Sequence, residues 1–349
     1  MLKQPFEVAE GPYFQDILQQ PQALDATCAA LGESGRWDAV SRFIRSRRWQ
    51  RVLLTGMGSS FHSLHPLQLA LFQAGLAPVL IETSELVHYG TTLFNAETLI
   101  IAVSQSGRSA EALRLLERNR PSPLLAVTNT ADSPLAQDCD CLVPVRAGIE
   151  ATVSCKTYVA GLTALAWLAG VITGGAEKDT LKVLAAASGL VAQYLKEWRS
   201  HTTSLAEKLS GARHLFLVGR GPSLAAAGTG ALIIKESARF HAEGMSSAAF
   251  RHGPMEMLQP QMQTIVLSGD ARTRALNDQL VRDLVAHGGR CDRIAEDAAY
   301  GPFRLAPCEP RLRPILEILP MQMMSLALAG LGGREAGRFE HASKITAVE

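Results

Sequence analysis

Three serines flank a glycine in the hexapeptide SQSGRS at residues 104–109. The apolar run TLIIAV precedes it, and AEALRLLER, which has the spacing of an amphipathic helix, follows it. A strand that turns into a helix here presents free backbone N–H groups and the positive end of the helix dipole, which together favour an anion. Ser104, Ser106 and Ser109 can each donate a hydrogen bond to a phosphate oxygen, and Gly107 lets the backbone come close. A plain serine N-cap would need only one of these hydroxyls, so the pattern favours a phosphate site.

Apolar strand patterns alternate with helical patterns along the chain. The first half has five predicted strands, at residues 51–55, 78–82, 98–103, 123–128 and 141–145. Runs such as APVLIE, TLIIAV and SPLLAV are almost continuously apolar, as in parallel strands that helices cover on both faces. The second half has looser strand patterns near residues 214–218, 263–268 and 289–294. This alternation predicts an α/β fold with parallel sheets sandwiched between helices.

The chain contains an internal repeat. RVLLTGMGSS (51–60) and HLFLVGRGPS (214–223) both run from an apolar strand into Gly-x-Gly and a serine. Residues 157–170 and 320–333 are separated by the same number of positions as these two turns, and both stretches are uncharged. A chance likeness of two common strand–turn–helix units is the alternative, but two matching features at one spacing favour a duplicated lobe.

A chain of 349 residues exceeds what one hydrophobic core usually fills, so more than one domain is expected. The patterns predict a helical leader, a first lobe, linker helices, a second lobe and a polar tail. Their predicted bounds are 1–46, 47–177, 178–210, 211–335 and 336–349. The uncharged stretch 157–176 is long enough to span a bilayer, yet its Gly, Ala and Thr content predicts a buried helix instead.

Composition excludes several classes of protein. Hydrophobic residues make up 47% and charged residues 19%, which is typical of a compact globular chain. With 34 basic against 33 acidic residues, no nucleic-acid partner is expected. Six cysteines without a CxxC pair predict neither a disulfide framework nor a cysteine metal site, and they favour a reducing cytoplasm. Both Gly-x-Gly turns lack the third glycine of a dinucleotide site, so no cofactor is expected.

Six short motifs occur in one order along the chain. They are GMGSS (56–60), SQSGRS (104–109), GRGPS (219–223), KESARFHAEG (235–244), FRHGPMEM (250–257) and SKITAVE (343–349). Together they resemble the SIS (sugar isomerase) family over about residues 45–349, and specifically its double-lobed members. These include the isomerase half of glucosamine-6-phosphate synthase, isomerising glucosamine-6-phosphate deaminases, and deglycases of phosphorylated sugar–amine adducts. The resemblance implies two α/β SIS lobes and a sugar-phosphate ligand.

The resemblance also implies which residues bind the sugar phosphate. The phosphate would lie on Ser104, Gln105, Ser106 and Ser109, and Ser60 would contribute from the preceding turn. These hydroxyls would fix the phosphate and so aim the other end of the sugar.

A second set of substrate contacts is implied near the first. GIEATVSCK (148–156) resembles the family's loop that closes over the sugar, although it is one residue shorter. Ser154 and Lys156 in this loop, and Ser59 in the GMGSS turn, are therefore expected to contact the substrate. No metal is expected, because His62 and His65 have no third ligand nearby.

Glu236 lies in IIKES, on a helix that is apolar on one side. Interconverting a 2-amino aldose and a ketose moves a proton between C1 and C2, and one carboxylate can carry it. Burial on such a helix would raise the pKa of Glu236 towards a useful range. A surface Lys–Glu pair is the ordinary alternative, and the resemblance favours a catalytic base.

His252 stands directly before Gly253 and Pro254, and Pro254 suits the first turn of a helix. The positive end of that helix would favour neutral imidazole, which can open a sugar ring by moving the anomeric proton. A histidine that only caps the helix is the alternative. The resemblance implies that His252 reaches the active site of a neighbouring subunit, which predicts a homodimer with its active site at the subunit interface.

Lys344 lies in the terminal motif SKITAVE, where a lysine is normally solvated. The resemblance implies that Lys344 meets the carbonyl of the sugar. There it would form a Schiff base or stabilise the open chain. The polar tail would also exclude water when it folds down.

The chain departs from the synthase pattern in two places, before the first lobe and upstream of Glu236. About 45 residues precede the first lobe and residue 2 is Leu, so the glutaminase domain of the synthase is not expected. Thr229 and Ile233 stand where the synthase has a glutamate and a lysine, and Ile233 would tolerate an alkylamine better than lysine would. SQSGRS, with Arg108, resembles catabolic deaminases, whereas FRHGP resembles deglycases.

These features predict an enzyme that removes ammonia or a substituted amine from a 2-amino-2-deoxyhexose 6-phosphate and leaves fructose 6-phosphate. A fructosamine-6-phosphate deglycase, which would release glucose 6-phosphate, is one alternative. A sugar-phosphate sensor without catalysis is another. Sensors of this family usually have one lobe, whereas this chain has two lobes with Glu236, His252 and Lys344, which favours an enzyme.

Overall fold

The computed structural model describes residues 7–46, 49–119 and 121–346. These residues form two compact units. Unit 1 comprises residues 7–19, 151–155 and 189–341, and unit 2 comprises residues 20–150, 156–188 and 342–346. The lobe boundaries expected from the sequence stay predictions.

The strands divide between the units as two sets. Unit 2 contains β1 (Arg51–Gly56), β2 (Val79–Glu82), β3 (Thr98–Val103), β4 (Leu124–Thr128) and β5 (Cys141–Pro144). Unit 1 contains β6 (His214–Gly219), β7 (Ala242–Ser246), β8 (Met262–Leu267) and β9 (Arg290–Ile294).

The helices connect and cover these strands. In chain order they are α1 (Pro12–Leu18), α2 (Gln20–Leu31), α3 (Arg36–Arg45), α4 (Ser59–Ser63), α5 (His65–Gln73), α6 (Thr83–Tyr89), α7 (Ala110–Arg118), α8 (Pro134–Asp138), α9 (Lys156–Thr173), α10 (Glu177–Leu195), α11 (Trp198–Leu209), α12 (Leu224–Ala238), α13 (Ser247–Arg251), α14 (Arg274–Ala286) and α15 (Arg313–Leu331). Residues 7–46 contain α1–α3, and residues 178–210 contain α11 and all but the first residue of α10. The roles of these segments as leader and linker stay predictions, and leader residues 1–6 lie outside the described residues.

Unit 2 is built on a five-stranded sheet in the order β2-β1-β3-β4-β5, and every neighbouring pair is parallel. All residues of β3 and β4 are buried, which explains their continuous apolar sequences. Side chains such as Leu53, Ile100 and Ala126 form a core with Leu86 and Leu115 from the covering helices. The sheet therefore has helices packed on it as the sequence predicted.

Unit 1 is built on a four-stranded parallel sheet in the order β7-β6-β8-β9. Its core contains Phe216, Val218 and Val266 from the sheet and Leu280 and Leu284 from α14. The sequence did not predict β7. This strand, AEGMS, is at the edge of the sheet and is mostly half-exposed, so it lacks the apolar run that marks a buried strand.

The two sheets share one strand order. In each, the first strand lies between the second and the third, and the fourth follows the third. The expected α/β fold with two lobes of like topology is confirmed.

Within the part of the chain that the structure describes, two helical segments are long and apolar enough to cross a membrane. They are Lys156–Thr173, which is 78% buried inside the protein, and Pro310–Leu331, which is 89% buried. Their burial is typical of core helices, as the sequence predicted for residues 157–176.

Candidate functional site

The SQSGRS loop lies at the carboxyl end of the central strand of unit 2. β1 pairs with β3 so that Gly56 is opposite Val103. The turn after β1, which begins α4, and the loop after β3, which begins α7, therefore leave the same edge of the sheet. Ligands of open parallel sheets bind at this edge.

Each serine of the loop holds its own backbone. Ser104 Oγ accepts the N–H of Gly107 at 3.1 Å, and Ser106 Oγ accepts the N–H of Arg108 at 3.2 Å. Ser109 is the N-cap of α7, since its Oγ accepts an N–H three residues on at 3.3 Å. Because a hydroxyl can accept and donate at once, each serine still has its O–H to give to a ligand. The capping and phosphate interpretations are therefore compatible.

Gly107 is required at the centre of the loop. Its φ is +59°, a left-handed conformation that side chains other than glycine rarely adopt. A Cβ at this position would lie 2.2 Å from Ser133 Oγ. The loop therefore keeps its shape only with glycine.

A cavity of about 720 Å³ opens beside the loop, within unit 2. Its lining includes Gln105 and Ser106 from the loop and Lys344 from the terminal segment. Three residues that the sequence predicted separately, in two motifs, thus share one cavity. Ser104, Ser109, Ser59 and Ser60 are not among its lining residues.

The ammonium group of Lys344 is held by Glu150. Lys344 Nζ lies 2.5 Å from Glu150 Oε2, and the Glu150 side chain is fully buried. Glu150 also accepts the backbone N–H of Thr157 at 3.0 Å and its hydroxyl at 2.6 Å. An ammonium in an ion pair is not a nucleophile, so this geometry favours stabilisation of a carbonyl or hydroxyl oxygen over a Schiff base.

Sequence reasoning missed Glu150. It follows β5 and is the only acidic residue of the segment GIEATVSCK, which leads into α9, whose residues 157–173 are uncharged. A single acidic residue before a long apolar helix was the sequence signal that could have identified Glu150 as a functional candidate.

The terminal segment is attached to the serine loop directly. The carbonyl oxygen of Thr346 accepts the N–H of Ala110, the first residue of α7, at 3.0 Å. Residues 347–349 of the predicted tail motif lie outside the described residues. This hydrogen bond places the described end of the tail beside the start of α7, and the expectation that the tail excludes water from the site stays a prediction.

Two arginines line the same cavity in different ways. Arg108 is fixed by Asp132, whose carboxylate lies 3.1 Å from the guanidinium and whose carbonyl accepts from it at 2.9 Å. Arg146 is exposed at the cavity and has no ion pair among the described residues. The cavity therefore offers one uncompensated positive charge, which suits a phosphorylated ligand.

The remaining substrate-contact residues occupy varied positions. Ser60 lies half-buried on α4, whereas Ser59 is 9% exposed and its Oγ has no hydrogen-bond partner among the described residues. Lys156 is 3% exposed at the start of α9 in unit 2, and Ser154 belongs to unit 1. Their substrate roles stay predictions.

Glu236 belongs to unit 1, where it is half-buried near the end of α12. The neighbouring Lys235 is exposed, so the side chains of Lys235 and Glu236 have different surroundings. α12 packs against α15 and β7. The catalytic role of Glu236 stays a prediction.

His252 also belongs to unit 1 and is exposed. It ends α13, and its N–H donates to the carbonyl of Ala249 at 2.9 Å. Pro254 begins a helix as predicted, but this is a 3-10 helix of four residues, Pro254–Met257. So short a helix has little aligned dipole, and the dipole argument for a neutral imidazole therefore loses its basis.

The two positions that depart from the synthase pattern are both interior. Thr229 and Ile233 are 0% exposed on α12. The suggestion that Ile233 would receive an alkylamine is therefore wrong for this structure, because its side chain is closed to a ligand. The choice between ammonia and a substituted amine rests on other grounds.

Among residues 7–46, 49–119 and 121–346, no group of three or more His, Cys, Asp or Glu side chains is arranged to hold a metal ion. His62 and His65 stack with ring centroids 6.3 Å apart.

Comparison with known proteins agrees with this geometry. The chain is 28% identical over 362 residues to the glutamine–fructose-6-phosphate aminotransferase (isomerizing) of Thermococcus kodakarensis, covering 98% of this chain and 59% of that protein. The chain thus spans less than two thirds of the length of this relative.

Solved structures show the same fold. The C-terminal domain of glucosamine-fructose-6-phosphate aminotransferase from Francisella tularensis superposes with a TM-score of 0.84 at 20% identity, over 95% of this chain and 98% of that one. Glucosamine-6-phosphate deaminase from Thermotoga maritima gives a TM-score of 0.77 at 16% identity, over 97% and 100%.

The SIS domain family model matches residues 46–170 and 208–295, which is more than half of the chain and includes the strands of both sheets. With the two parallel sheets and the loop motifs at their carboxyl edges, this match shows that the chain belongs to the SIS (sugar isomerase) domain family.

Proposed function

We propose that the protein removes an amine from a 2-amino-2-deoxyhexose 6-phosphate by aldose–ketose isomerisation and leaves fructose 6-phosphate. One observation carries this proposal. Gln105 and Ser106 of the serine loop share a cavity with Lys344, so groups suited to a phosphate and to a carbonyl oxygen face one space. A sugar phosphate has both groups at opposite ends of a short chain.

The phosphate end would be held by the serine loop. The O–H groups of Ser104, Ser106 and Ser109 donate to phosphate oxygens, and Arg146 adds a positive charge nearby. No group is needed to transfer the phosphate, which serves as an anchor that positions the sugar carbons.

The carbonyl end would meet Lys344. Its ammonium group, oriented by Glu150, stabilises the open-chain oxygen as negative charge develops on it. Glu236 moves the proton between C1 and C2, and His252 serves ring opening. The rearranged imine then reacts with one water, so that the amino aldose plus water becomes the ketose plus the free amine.

The test is an assay of the two products on two substrates. The protein is incubated with glucosamine 6-phosphate and with a lysine–hexose 6-phosphate adduct, and fructose 6-phosphate and glucose 6-phosphate are quantified separately. Formation of fructose 6-phosphate supports the proposal. Glucose 6-phosphate as the only product would replace it with the fructosamine-6-phosphate deglycase, and no turnover of either substrate by folded protein would overturn it.

A matched pair of variants ties any activity to the loop. Ser106→Ala removes a hydroxyl that lines the cavity and should raise KM for the sugar phosphate by about tenfold. Ser122→Ala removes an equally buried hydroxyl outside the cavity and should leave KM unchanged. Equal KM values for the two variants would contradict phosphate binding by the loop.

The proposal includes a cytoplasmic homodimer. His252 is exposed in the single chain, as it must be to reach a neighbouring subunit. Light scattering after gel filtration should give twice the chain mass. Mixing inactive Glu236→Gln with inactive His252→Ala chains should restore about a quarter of the activity if the active site is shared, and no recovery would exclude sharing.

A further inference from the structure

Unit 1 has a loop that corresponds to the serine loop of unit 2. Residues 268–274, SGDARTR, follow β8 and lead into α14, as SQSGRS follows β3 and leads into α7. β8 and β3 hold the same place in the strand order of their sheets. Gly269 has φ +69° and Gly107 has φ +59°, so both loops turn through a left-handed glycine. The duplication thus extends to the ligand-binding edge.

Two hydroxyls and one carboxyl oxygen around this loop are buried without a hydrogen-bond partner among the described residues. Ser268 and Glu317 are each 1% exposed, and neither Ser268 Oγ nor Glu317 Oε2 has a hydrogen-bond partner among the described residues. Thr273 Oγ1, at the N-cap of α14, is likewise buried and unpartnered there. Leaving such a group unpaired costs roughly 1–3 kcal/mol, so several together indicate a missing partner.

Two hydroxyl side chains lie beside Gly269 in this loop. A Cβ built on Gly269 would lie 3.3 Å from Ser223 Oγ and 3.6 Å from Thr273 Oγ1. Ser223 Oγ in turn donates to Glu317 Oε1 at 2.9 Å. Side chains from the turn after β6, from the loop after β8 and from α15 therefore surround the same turn of backbone.

The charges at this edge suit an anion. Arg220, directly after β6, and Arg274, the first residue of α14, each have a buried Nε without a partner among the described residues. α14 has 13 residues, and its N-terminal dipole adds positive potential. Burial raises the pKa of Glu317 to about 8, so this carboxyl is protonated at neutral pH and can donate through Oε2. Two carboxylates are opposing charges. Asp270 accepts the N–H of Arg272 at 3.0 Å, and Asp297, which interacts electrostatically with Arg274, is paired with Arg293 at 3.0 Å.

We propose that the loop at residues 268–274 is a second phosphate-binding site, in unit 1, with Arg220, Ser268, Thr273 and Arg274 as its donors. The phosphate belongs to free orthophosphate or to a small phosphomonoester, since both present the same oxygens. The site stands on its own residues and does not require that the serine loop of unit 2 binds phosphate. It would give the protein two phosphate sites per chain.

Calorimetric titration tests the number of sites. Wild-type protein is titrated with inorganic phosphate and with fructose 6-phosphate, and the same titrations are made with Ser106→Ala, which weakens the unit 2 site. We expect two sites per chain in the wild type and retention of the unit 1 site in Ser106→Ala. Similar affinity for both probes would identify orthophosphate as the ligand, and tighter binding of the sugar phosphate would identify a phosphomonoester.

Two arginine variants locate the second site. Arg274→Ala should raise the Kd of the retained site by about tenfold or more, because a charge-assisted hydrogen bond is lost. Arg272→Ala removes the same charge from an exposed position in the same loop and should leave this Kd unchanged. Thermal unfolding checks that both variants are folded.

Absence, for both probes, of any site that survives Ser106→Ala would overturn the proposal and assign the buried hydroxyls to ordinary internal water. Equal Kd values for Arg274→Ala and Arg272→Ala would overturn it as well. Neither outcome depends on catalytic turnover, so failure of the proposed function leaves this test intact.

Discussion

At the scale of single residues, the role proposed for Lys344 depends on its ion pair with Glu150. The carboxylate is fully buried and is held by two hydrogen bonds from Thr157, so the lysine approaches a fixed charge. A buried acid is strongly destabilised when a cationic partner leaves. The pair therefore orients Lys344 and also keeps the terminal segment in place.

Neutralising Glu150 should release the terminal segment. Glu150→Gln keeps one oxygen that can accept the N–H of Thr157 but replaces the other oxygen with an NH2 donor and loses the ion pair with Lys344. We therefore expect kcat to fall by about tenfold or more and trypsin to cleave after Lys344 faster than in the wild type. Glu97→Gln, which removes an exposed carboxylate of the same unit, is the control. Unchanged kcat together with an unchanged cleavage rate would refute this role.

Glu317 makes stability depend on pH. Its pKa rises from the usual 4.5 to about 8, first because of burial, while the hydrogen bond from Ser223 and the charge of Arg313 oppose the rise and Asp270 adds to it. The unfolded chain loses the Glu317 proton near pH 4.5 and the folded chain keeps it until about pH 8. The free energy of unfolding therefore decreases across this window and is level above it.

Glu317→Gln should remove this dependence. The variant should be more stable than the wild type by roughly 3 kcal/mol at pH 8 and by much less at pH 4.5. Urea unfolding at pH 4.5, 6 and 8 measures the difference between the two proteins, in which the other titrating groups cancel. A constant difference across the three pH values would show that the carboxyl is already ionised in the folded protein.

At the scale of elements, the loop between β3 and α7 depends on one glycine. Gly107 combines a left-handed φ with a close approach to Ser133, the N-cap of α8. The serine hydroxyls hold the loop backbone from inside, so a shift of Gly107 would move all of them. A change in the shape of this loop would therefore also change the positions of the serine hydroxyls that are proposed to bind the ligand.

Gly107→Ala should cost more than the same change at an open glycine. Gly35 has φ +80° with nothing within 4 Å of an added Cβ, so Gly35→Ala should lose only about 1 kcal/mol from the backbone conformation. Gly107→Ala adds a clash and should lose about 3 kcal/mol, with weaker sugar-phosphate binding. Chemical denaturation of both variants measures this, and equal losses would contradict the clash.

At the scale of the whole molecule, the predicted functions are divided between the units. The serine loop and Lys344 belong to unit 2, whereas Glu236 and His252 belong to unit 1. Each unit has its own parallel sheet and its own core, so a change in one need not disturb ligand binding by the other. Binding and proton transfer should therefore be separable by mutation.

Glu236→Gln should separate them. Turnover should fall by at least about a thousandfold, since the amide cannot accept the proton, while the Kd of the sugar phosphate changes by less than about threefold. Single-turnover kinetics and calorimetry measure the two quantities. Glu243→Gln, a half-exposed acid on β7 of the same unit, is the control and should affect neither. A large loss of binding in Glu236→Gln would contradict the division.

The sequence alone determined the α/β class, the two lobes and the central strands, because buried parallel strands need continuous apolar runs that are visible in one dimension. It also placed the serine loop at a strand end, since glycine and capping serines act locally. Edge strand β7 escaped prediction because half-exposed backbone needs no such run.

Only the tertiary structure decided which distant residues meet. Lys344 and Glu150 are 194 positions apart and pair because the terminal segment lies on the serine loop. The same holds for Ile233, which comparison with the synthase pattern suggested would accommodate an alkylamine and which packing buries completely. Local sequence sets the backbone, but burial and ion pairing depend on which elements pack together, and that is a property of the folded chain.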